Sequence, residues 1–349
     1  MVVTGAILAG VMYFVGFEKT WQAVLEAGIP AFLSTGGVLA VLILLQAAAW
    51  KYLNGGVGHQ VPFGVLVQAT IVGQAGNVIT PSTYLGGEPA RILFVGKLTG
   101  LSYGELTGTV LLGKYIEALS FVAFLLVCEV VTMLRYWRTL FEGAAPIVGV
   151  SLVVVLALLI ALAIALLMTL QRGWTPLAGL IFLGERMRIF PKALRRLRRR
   201  TIGVEKQASR VFRQEERLIL PCFITYLLTH VLMFAKPFAF FWLGWRLGLD
   251  AYELALIFVT CQVLLAFQLT PSGVGTLDGG MFGMISLVNI PIASPQCAAY
   301  LLSLRFWDFA LIALGALLAA RAGAELLAKA PAPAPPDAAK GTSAPKDEP

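Results

Sequence analysis

Apolar residues in this chain form long continuous runs separated by short polar segments. A helix needs about 20 apolar residues to cross a hydrocarbon core about 30 Å thick. Six runs approach or exceed this length and predict full spans: Val2 to Phe17, Pro30 to Trp50, Gly104 to Leu134, Pro146 to Leu170, Leu218 to Trp245 and Ala293 to Ala320.

Two further apolar runs, Pro62 to Val95 and Leu254 to Ile290, are interrupted in the middle by Pro and Gly. Each is either one crossing followed by a loop or a re-entrant hairpin that returns to the face it entered. We predict an all-α polytopic membrane protein with about six full transmembrane helices plus two re-entrant broken-helix hairpins in an inverted repeat. A hydropathy plot would score it as seven or eight helices.

Composition excludes a soluble domain, because 58% of residues are apolar, 13% are charged and the mean hydropathy is +0.82. The first run has neither a preceding basic residue nor a following Ala-x-Ala-like site, so we interpret it as a retained anchor. The four cysteines are far apart in apolar runs, which indicates core residues rather than a disulfide framework or a metal site. We expect no metal and no cofactor.

Basic residues orient the chain. Between Arg172 and Arg217 there are thirteen Lys/Arg and four Asp/Glu, so this segment should be cytoplasmic. If both interrupted runs are hairpins, 20 Lys/Arg lie on the cytoplasmic side and 4 on the outer side. If both are crossings, the numbers are 16 and 8; the remaining 3 of the 27 Lys/Arg lie within spans. The first count favours hairpins and places both termini in the cytoplasm.

The basic segment itself has apolar residues at mostly helical spacing. This pattern suits a helix lying on anionic lipid headgroups, through Arg195, Arg196, Arg198, Arg199 and Arg200. The alternative is a loop that only enforces topology. Nucleic-acid binding is disfavoured because the cluster lies between spans and has few aromatic residues.

The chain divides into five parts on these grounds. They are an N-terminal anchor helix (1–29), a first membrane half (30–170), a basic cytoplasmic amphipathic loop (171–217), a second membrane half (218–328) and a Pro/Ala-rich tail (329–349) expected to be disordered.

Each interrupted run contains the same element. The first reads Thr80-Pro81-Ser82 and then Gly86-Gly87-Glu88, and the second reads Thr270-Pro271-Ser272 and then Asp278-Gly279-Gly280. In both, an acid falls eight residues after the threonine, and a base and an acid three residues apart follow in the next long run. These later pairs are Lys114 with Glu117 and Arg305 with Asp308.

Proline removes a helical hydrogen bond that hydrocarbon cannot replace, so such breaks persist where protein or water lines them. Matching broken helices in two halves point to a transporter's binding site, and half-helix N-termini attract anions such as phosphate. A plain kink at each break, and local neutralisation within each pair, are the simpler alternatives. His230 is interpreted as a core histidine and Lys236 as a residue that snorkels outward or lines a cavity.

At these residues the chain resembles the flippase family represented by the transmembrane half of bacterial lysylphosphatidylglycerol synthetases, the multiple peptide resistance factors, and by stand-alone membrane proteins. The family's first motif of Asn, Pro, Gly-Gly-Glu and Arg is matched by Asn77, Pro81, Gly86, Gly87, Glu88 and Arg91. Its looser second motif is matched by Pro271, Gly273, Gly275 and Asp278, and its later arginine by Arg305. The candidate substrate-binding set is Asn77, Thr80, Pro81, Gly86, Gly87, Glu88, Arg91, Lys114, Glu117, Thr270, Pro271, Ser272, Gly275, Asp278, Arg305 and Asp308. Where the family usually has Pro-Gly-Gly and Glu, this chain has Ser272-Gly273-Val274 and Asp278.

The resemblance implies movement of a phospholipid or of a polyprenyl- or hopanoid-type lipid between the leaflets of a bacterial inner membrane. The expected partners are this lipid substrate, anionic headgroups at the cytoplasmic face and a second copy of the chain in a homo-oligomer. It also implies no enzymatic activity, since the soluble aminoacyltransferase domain of the synthetases has no counterpart here. A lipid-modifying membrane enzyme and a non-transporting scaffold remain the alternatives.

Overall fold

A computed structural model describes residues 16–80, 86–141, 146–173, 175–186, 191–214, 216–266, 273 and 275–329. These residues form eleven helices and no strand. Their bounds are α1 Phe17–Gly56, α2 Phe63–Ile79, α3 Glu88–Thr99, α4 Tyr103–Phe141, α5 Pro146–Arg172, α6 Pro176–Arg186, α7 Pro191–Gln214, α8 Glu216–Trp245, α9 Ala251–Ala266, α10 Thr276–Val288 and α11 Ser294–Lys329.

Five of the described helices are long and apolar enough to cross a membrane, namely α1, α4, α5, α8 and α11. The chain is therefore an all-α polytopic membrane protein, as the apolar runs predict. The sixth predicted span falls mostly on residues 2–15, outside the described residues. Helix α1 begins at Phe17 and is broken at Gly28, whose φ of 71° is left-handed, just before Pro30.

Helices α1 and α8 pack antiparallel along their length. Ala27 near the start of α1 lies against Gly244 near the end of α8, where an added Cβ would come 3.3 Å from the Ala27 Cα. At the other end, the Cys222 Sγ lies 3.7 Å from the Ala49 carbonyl oxygen. Small residues at such contacts allow two helices to approach closely in a membrane.

Two of the other three long helices, α4 and α11, pack in parallel with one member each of this central pair. Helix α4 runs beside α8, with Ser120 opposite His230 and Phe124 opposite Phe234. Helix α11 runs beside α1, as two levels of contact show: Thr35 with Ser303, and Ile43 with Leu311. Each half thus contributes one helix to the central pair and one neighbour to the other half's central helix.

Both interrupted runs are helix–break–helix hairpins. Helices α2 and α3 pack closely at glycines: an added Cβ on Gly87 would come 1.7 Å from the Gly73 carbonyl oxygen. Helices α9 and α10 meet where Gly280 lies against Leu264. All four helices have 17 residues or fewer, below the about 20 needed for a full span. Because each hairpin follows α1 or α8, and these two are antiparallel, the hairpins begin at opposite ends of the central pair.

The basic segment forms two helices, α6 and α7, and is not a loop. The Glu205 carboxylate on α7 is buried, accepting a hydrogen bond from the Tyr115 hydroxyl of α4 at 2.9 Å and another from the Ala178 N–H of α6 at 3.2 Å. This one acid joins three helices and fixes the basic segment to α4 next to Lys114.

Candidate functional site

Two side chains at the end of α2 form hydrogen bonds on either side of the first break. The Asn77 Oδ1 accepts a hydrogen bond from the Gly87 N–H at 2.7 Å, and the Thr80 hydroxyl donates to the Gly76 carbonyl at 3.0 Å. An added Cβ on Gly86 would come 1.9 Å from the Thr80 Oγ1, so this position requires glycine. Pro81 lies outside the described residues.

Four charged side chains meet beside this break. Lys114 Nζ lies 2.9 Å from Glu88 Oε1 and 2.9 Å from Glu117 Oε2, so one ammonium group bridges the hairpin and its own helix. Arg91 Nη1 lies 3.4 Å from Glu88 Oε2. All four side chains are at most 18% exposed, and their formal charges sum to zero. Such a neutral group is far less costly inside a membrane than any of its members alone.

Arg91 is held by contacts that sequence reasoning missed. Its guanidinium lies 4.6 Å from the ring centroid of Trp50, and its Nη2 is 3.4 Å from the Thr70 hydroxyl. The Trp50 Nε1 in turn donates to the Thr109 hydroxyl at 3.1 Å. Arg91 is 6% exposed, so these contacts hold its charge inside the protein.

Two glutamines extend this first cluster to α1 and α2. The Gln46 amide donates to Glu117 Oε1 at 3.5 Å, and Gln74 donates to the Gln46 amide oxygen. Both are polar residues within apolar runs, which is the sequence signal that could have identified them. His230 donates to or accepts from the Ser120 hydroxyl at 3.2 Å, close to Glu117, and is a buried histidine as expected.

The second cluster repeats the first with different residue types. Arg305 Nη2 lies 3.4 Å from Asp278 Oδ1, and Arg305 Nη1 lies 3.6 Å from Asp308 Oδ2. Asp278 Oδ2 also accepts the Gly275 N–H at 2.8 Å, which caps the start of α10. The Lys236 ammonium group and the Asp308 carboxylate lie close enough to attract each other electrostatically. Thr270, Pro271 and Ser272 lie outside the described residues.

In both clusters a cation on a long helix bridges a hairpin acid and the acid three residues further along its own helix. The hairpin acids, Glu88 and Asp278, lie in the first turns of α3 and α10. Asp278 caps the start of α10, whereas Glu88 makes no cap hydrogen bond at the start of α3 and pairs with Lys114 and Arg91. Phosphate binding at these half-helix N-termini stays a prediction. The first cluster lies near His230 of α8 and the second near Lys236 of the same helix. His230 and Lys236 are six residues, or about 9 Å, apart along α8.

Two cavities among the described residues are lined by side chains outside the two clusters. One of about 600 Å³ is lined by Lys51, Tyr52 and Phe63, and another of about 330 Å³ by Gln68, Leu98 and Arg321. No three His, Cys, Asp or Glu side chains among these residues group as a metal site.

The arginines of α7 differ from one another. Arg195, Arg196 and Arg199 are exposed. Arg198 is held on the protein, with its Nε 3.1 Å from Glu185 Oε1 and its guanidinium 5.0 Å from the Phe182 ring centroid. The Arg200 side chain lies outside the described part of the structure.

Comparison with known proteins agrees with this class of multi-pass helical membrane protein. The chain belongs to the family described as the lysylphosphatidylglycerol synthase TM region, which matches residues 1–316.

Similar proteins include a UPF0104 membrane protein of Methanothermobacter thermautotrophicus, 24% identical over 339 residues, covering 91% of this chain and 94% of the relative. A UPF0104 membrane protein of Pyrococcus horikoshii is 20% identical over 277 residues, covering 76% and 80%. No solved structure matches the chain.

Proposed function

We propose that this protein is a flippase that moves an amphiphilic lipid between the leaflets of a bacterial inner membrane. The observation that carries the proposal is the repeated bridge: Lys114 between Glu88 and Glu117, and Arg305 between Asp278 and Asp308. Ionisable groups inside membrane helices mark substrate or ion pathways, and membership of the lysylphosphatidylglycerol synthase TM family supports a lipid as the substrate.

The two halves form an inverted repeat in this proposal. Each half runs long helix, hairpin, long helix, and the antiparallel packing of α1 on α8 supports a two-fold axis in the membrane plane. Transporters with inverted repeats bind substrate near the midplane, where broken helices meet, and alternate access by rocking one repeat against the other. The hairpins then enter from opposite faces, with both termini in the cytoplasm.

Headgroup binding proceeds by exchange of ionic partners. In the first cluster, Lys114 and Arg91 are neutralised by Glu88 and Glu117. A phosphate-bearing headgroup that enters between the hairpin and α4 replaces the Glu88 carboxylate on these cations, while the acyl chains stay in lipid. Arg305, released from Asp278, receives the headgroup on the other side of the midplane.

Helix α7 lies on the cytoplasmic leaflet in this arrangement. Its exposed residues Arg195, Arg196 and Arg199 contact anionic headgroups, while Arg198 and Glu205 hold it to the rest of the protein. Each exposed arginine near an anionic surface contributes about 1 kcal/mol of attraction.

The test is lipid movement in reconstituted vesicles. The protein is placed in vesicles carrying a trace of fluorescent phosphatidylglycerol, phosphatidylethanolamine, lysylphosphatidylglycerol or polyprenyl phosphate, and an impermeant quencher reports redistribution. Loss of a charge-assisted contact of about 1.5–3 kcal/mol predicts about ten- to a hundredfold slower movement in E88Q and D278N. The control E105Q removes an exposed carboxylate of α4 and should be normal.

Failure of every probe to move faster than in protein-free vesicles contradicts the proposal. So does normal movement in the double variant E88Q/D278N. A new covalent lipid product, detected by mass spectrometry of the same vesicles, would instead identify a lipid-modifying enzyme.

A further inference from the structure

Glu129 of α4 is a membrane-embedded acid that neither cluster uses. It is 0% exposed, and neither carboxyl oxygen has a hydrogen-bond partner among the described residues. It lies six residues, or about 9 Å along the helix, before Arg135. Most buried carboxyl groups in proteins are paired, so an acid without partners inside a transmembrane helix calls for a functional explanation.

The surroundings of Glu129 are apolar. Leu125 and Met133 lie one turn on either side of it, on the same face of α4, and both belong to a cluster that contains Phe258 and Val259 of α9 and Leu152 of α5. Glu129 therefore lies in the contact between α4 and the first helix of the second hairpin.

Two titratable groups on α4 and the helices packed against it have partners of their own. His230 of α8 bonds Ser120, more than two turns before Glu129, and Arg135 lies over the Tyr252 ring. Further titratable groups on these elements include Cys128 and Tyr136 of α4, Arg172 at the end of α5, Lys236 of α8, and Glu253 and Cys261 of α9; of these, Tyr136 packs on the apolar cluster that contains Leu125 and Met133.

An ionised carboxylate without a partner is not tolerated in such a place. Its transfer from water to a low-dielectric interior costs several kcal/mol even after relaxation, so the group takes up a proton instead. The packed state of α9 on α4 thus requires the neutral acid. If α9 moves away and water reaches the carboxyl, the proton can leave.

We propose that Glu129 is a proton-binding site, and that proton binding there stabilises the packing of the second hairpin on α4. Binding and packing are linked, so each stabilises the other to the same extent. A proton taken up or released at Glu129 would couple hairpin motion to a proton gradient. That consequence for lipid movement rests on the proposed function, but the site and its linkage do not.

Infrared spectroscopy of the protein in lipid vesicles tests the site. The C=O stretch of a protonated carboxyl group should be present at neutral pH in the wild type and absent from E129Q. The control E105Q removes an exposed acid of the same helix and should keep this band. An unchanged band in E129Q would overturn the proposal.

Hydrogen exchange of α9 amides tests the linkage. From about pH 4.3, the ordinary pKa of a glutamate carboxyl, exchange in the wild type relative to E129Q should rise with pH, by up to about tenfold per pH unit, until the packed state itself loses the proton. E129M, of similar volume and apolar, gives a second pH-insensitive reference if E129Q folds poorly. A flat ratio would disprove the linkage. Neither measurement detects lipid movement, so an inactive flippase assay and a failed proton site are separate outcomes.

Discussion

Lys114 reaches from α4 to Glu88 at the start of α3, with 2.9 Å between the ammonium nitrogen and the nearer carboxylate oxygen. The contact joins two residues that are 26 positions apart in the chain and connects the first hairpin to a long helix. Arg305 and Asp278 make the corresponding contact in the second half at 3.4 Å.

Replacing Lys114 with Met should destabilise the protein and stop transport together. Glu88 and Glu117 would be left as buried carboxylates with one cation, Arg91, between them, and breaking a buried ion pair costs about 3–5 kcal/mol. Thermal unfolding in detergent measures the first effect and vesicle redistribution the second. The control K97M removes an exposed lysine of α3 and should change neither. A stable, active K114M protein would show that the bridge is dispensable.

Replacing Gly87 with Ala should open the first hairpin. The new methyl group would lie 1.7 Å from the Gly73 carbonyl oxygen, a backbone atom that cannot move away alone. Overpacking of this kind costs about 1–3 kcal/mol or more, seen as a lower unfolding midpoint. Gly104 of α4 has open space around it, so G104A is the matched control and should be neutral or slightly stabilising. Equal midpoints for the two variants would contradict the hairpin packing.

Asp278 combines two roles that substitutions can separate. It caps α10 through the Gly275 N–H and pairs with Arg305. D278N keeps an acceptor for the cap but loses the ion pair, whereas D278A loses both. Loss of such a cap costs about 1 kcal/mol, so D278A should unfold more easily than D278N by about that amount, while both lose transport. Identical stability of the two variants would mean that the cap contributes nothing.

Antiparallel packing of α1 on α8 predicts a specific cross-link. A Cβ on Gly244 would lie 3.5 Å from the Ala27 Cβ, within the usual range for a disulfide of about 3.5–4.5 Å. The pair A27C/G244C should therefore oxidise to an internal disulfide, detected by its altered gel mobility before and after reduction. The single variant A27C should form no internal disulfide, because the native Cys222 lies at the opposite end of α8 from Gly244. Cross-linking of A27C to Cys222 would contradict the fold.

The sequence by itself determined the membrane class and the positions of the long helices. Apolar runs of sufficient length have few alternatives to a transmembrane helix, because hydrocarbon cannot satisfy an exposed backbone. Proline and glycine also located both breaks, and a spacing of three placed Glu117 beside Lys114 and Asp308 beside Arg305, since such residues share a helix face.

Only the tertiary structure decided which distant residues meet. The bridge from Lys114 to Glu88, the stacking of Arg91 on Trp50 and the joining of Gln46 to Glu117 each cross between helices, and a helix pattern carries no information on its neighbours. The same reason applies to Glu129. The sequence places an acid in an apolar run, but whether it finds a partner depends on the helices that pack around it.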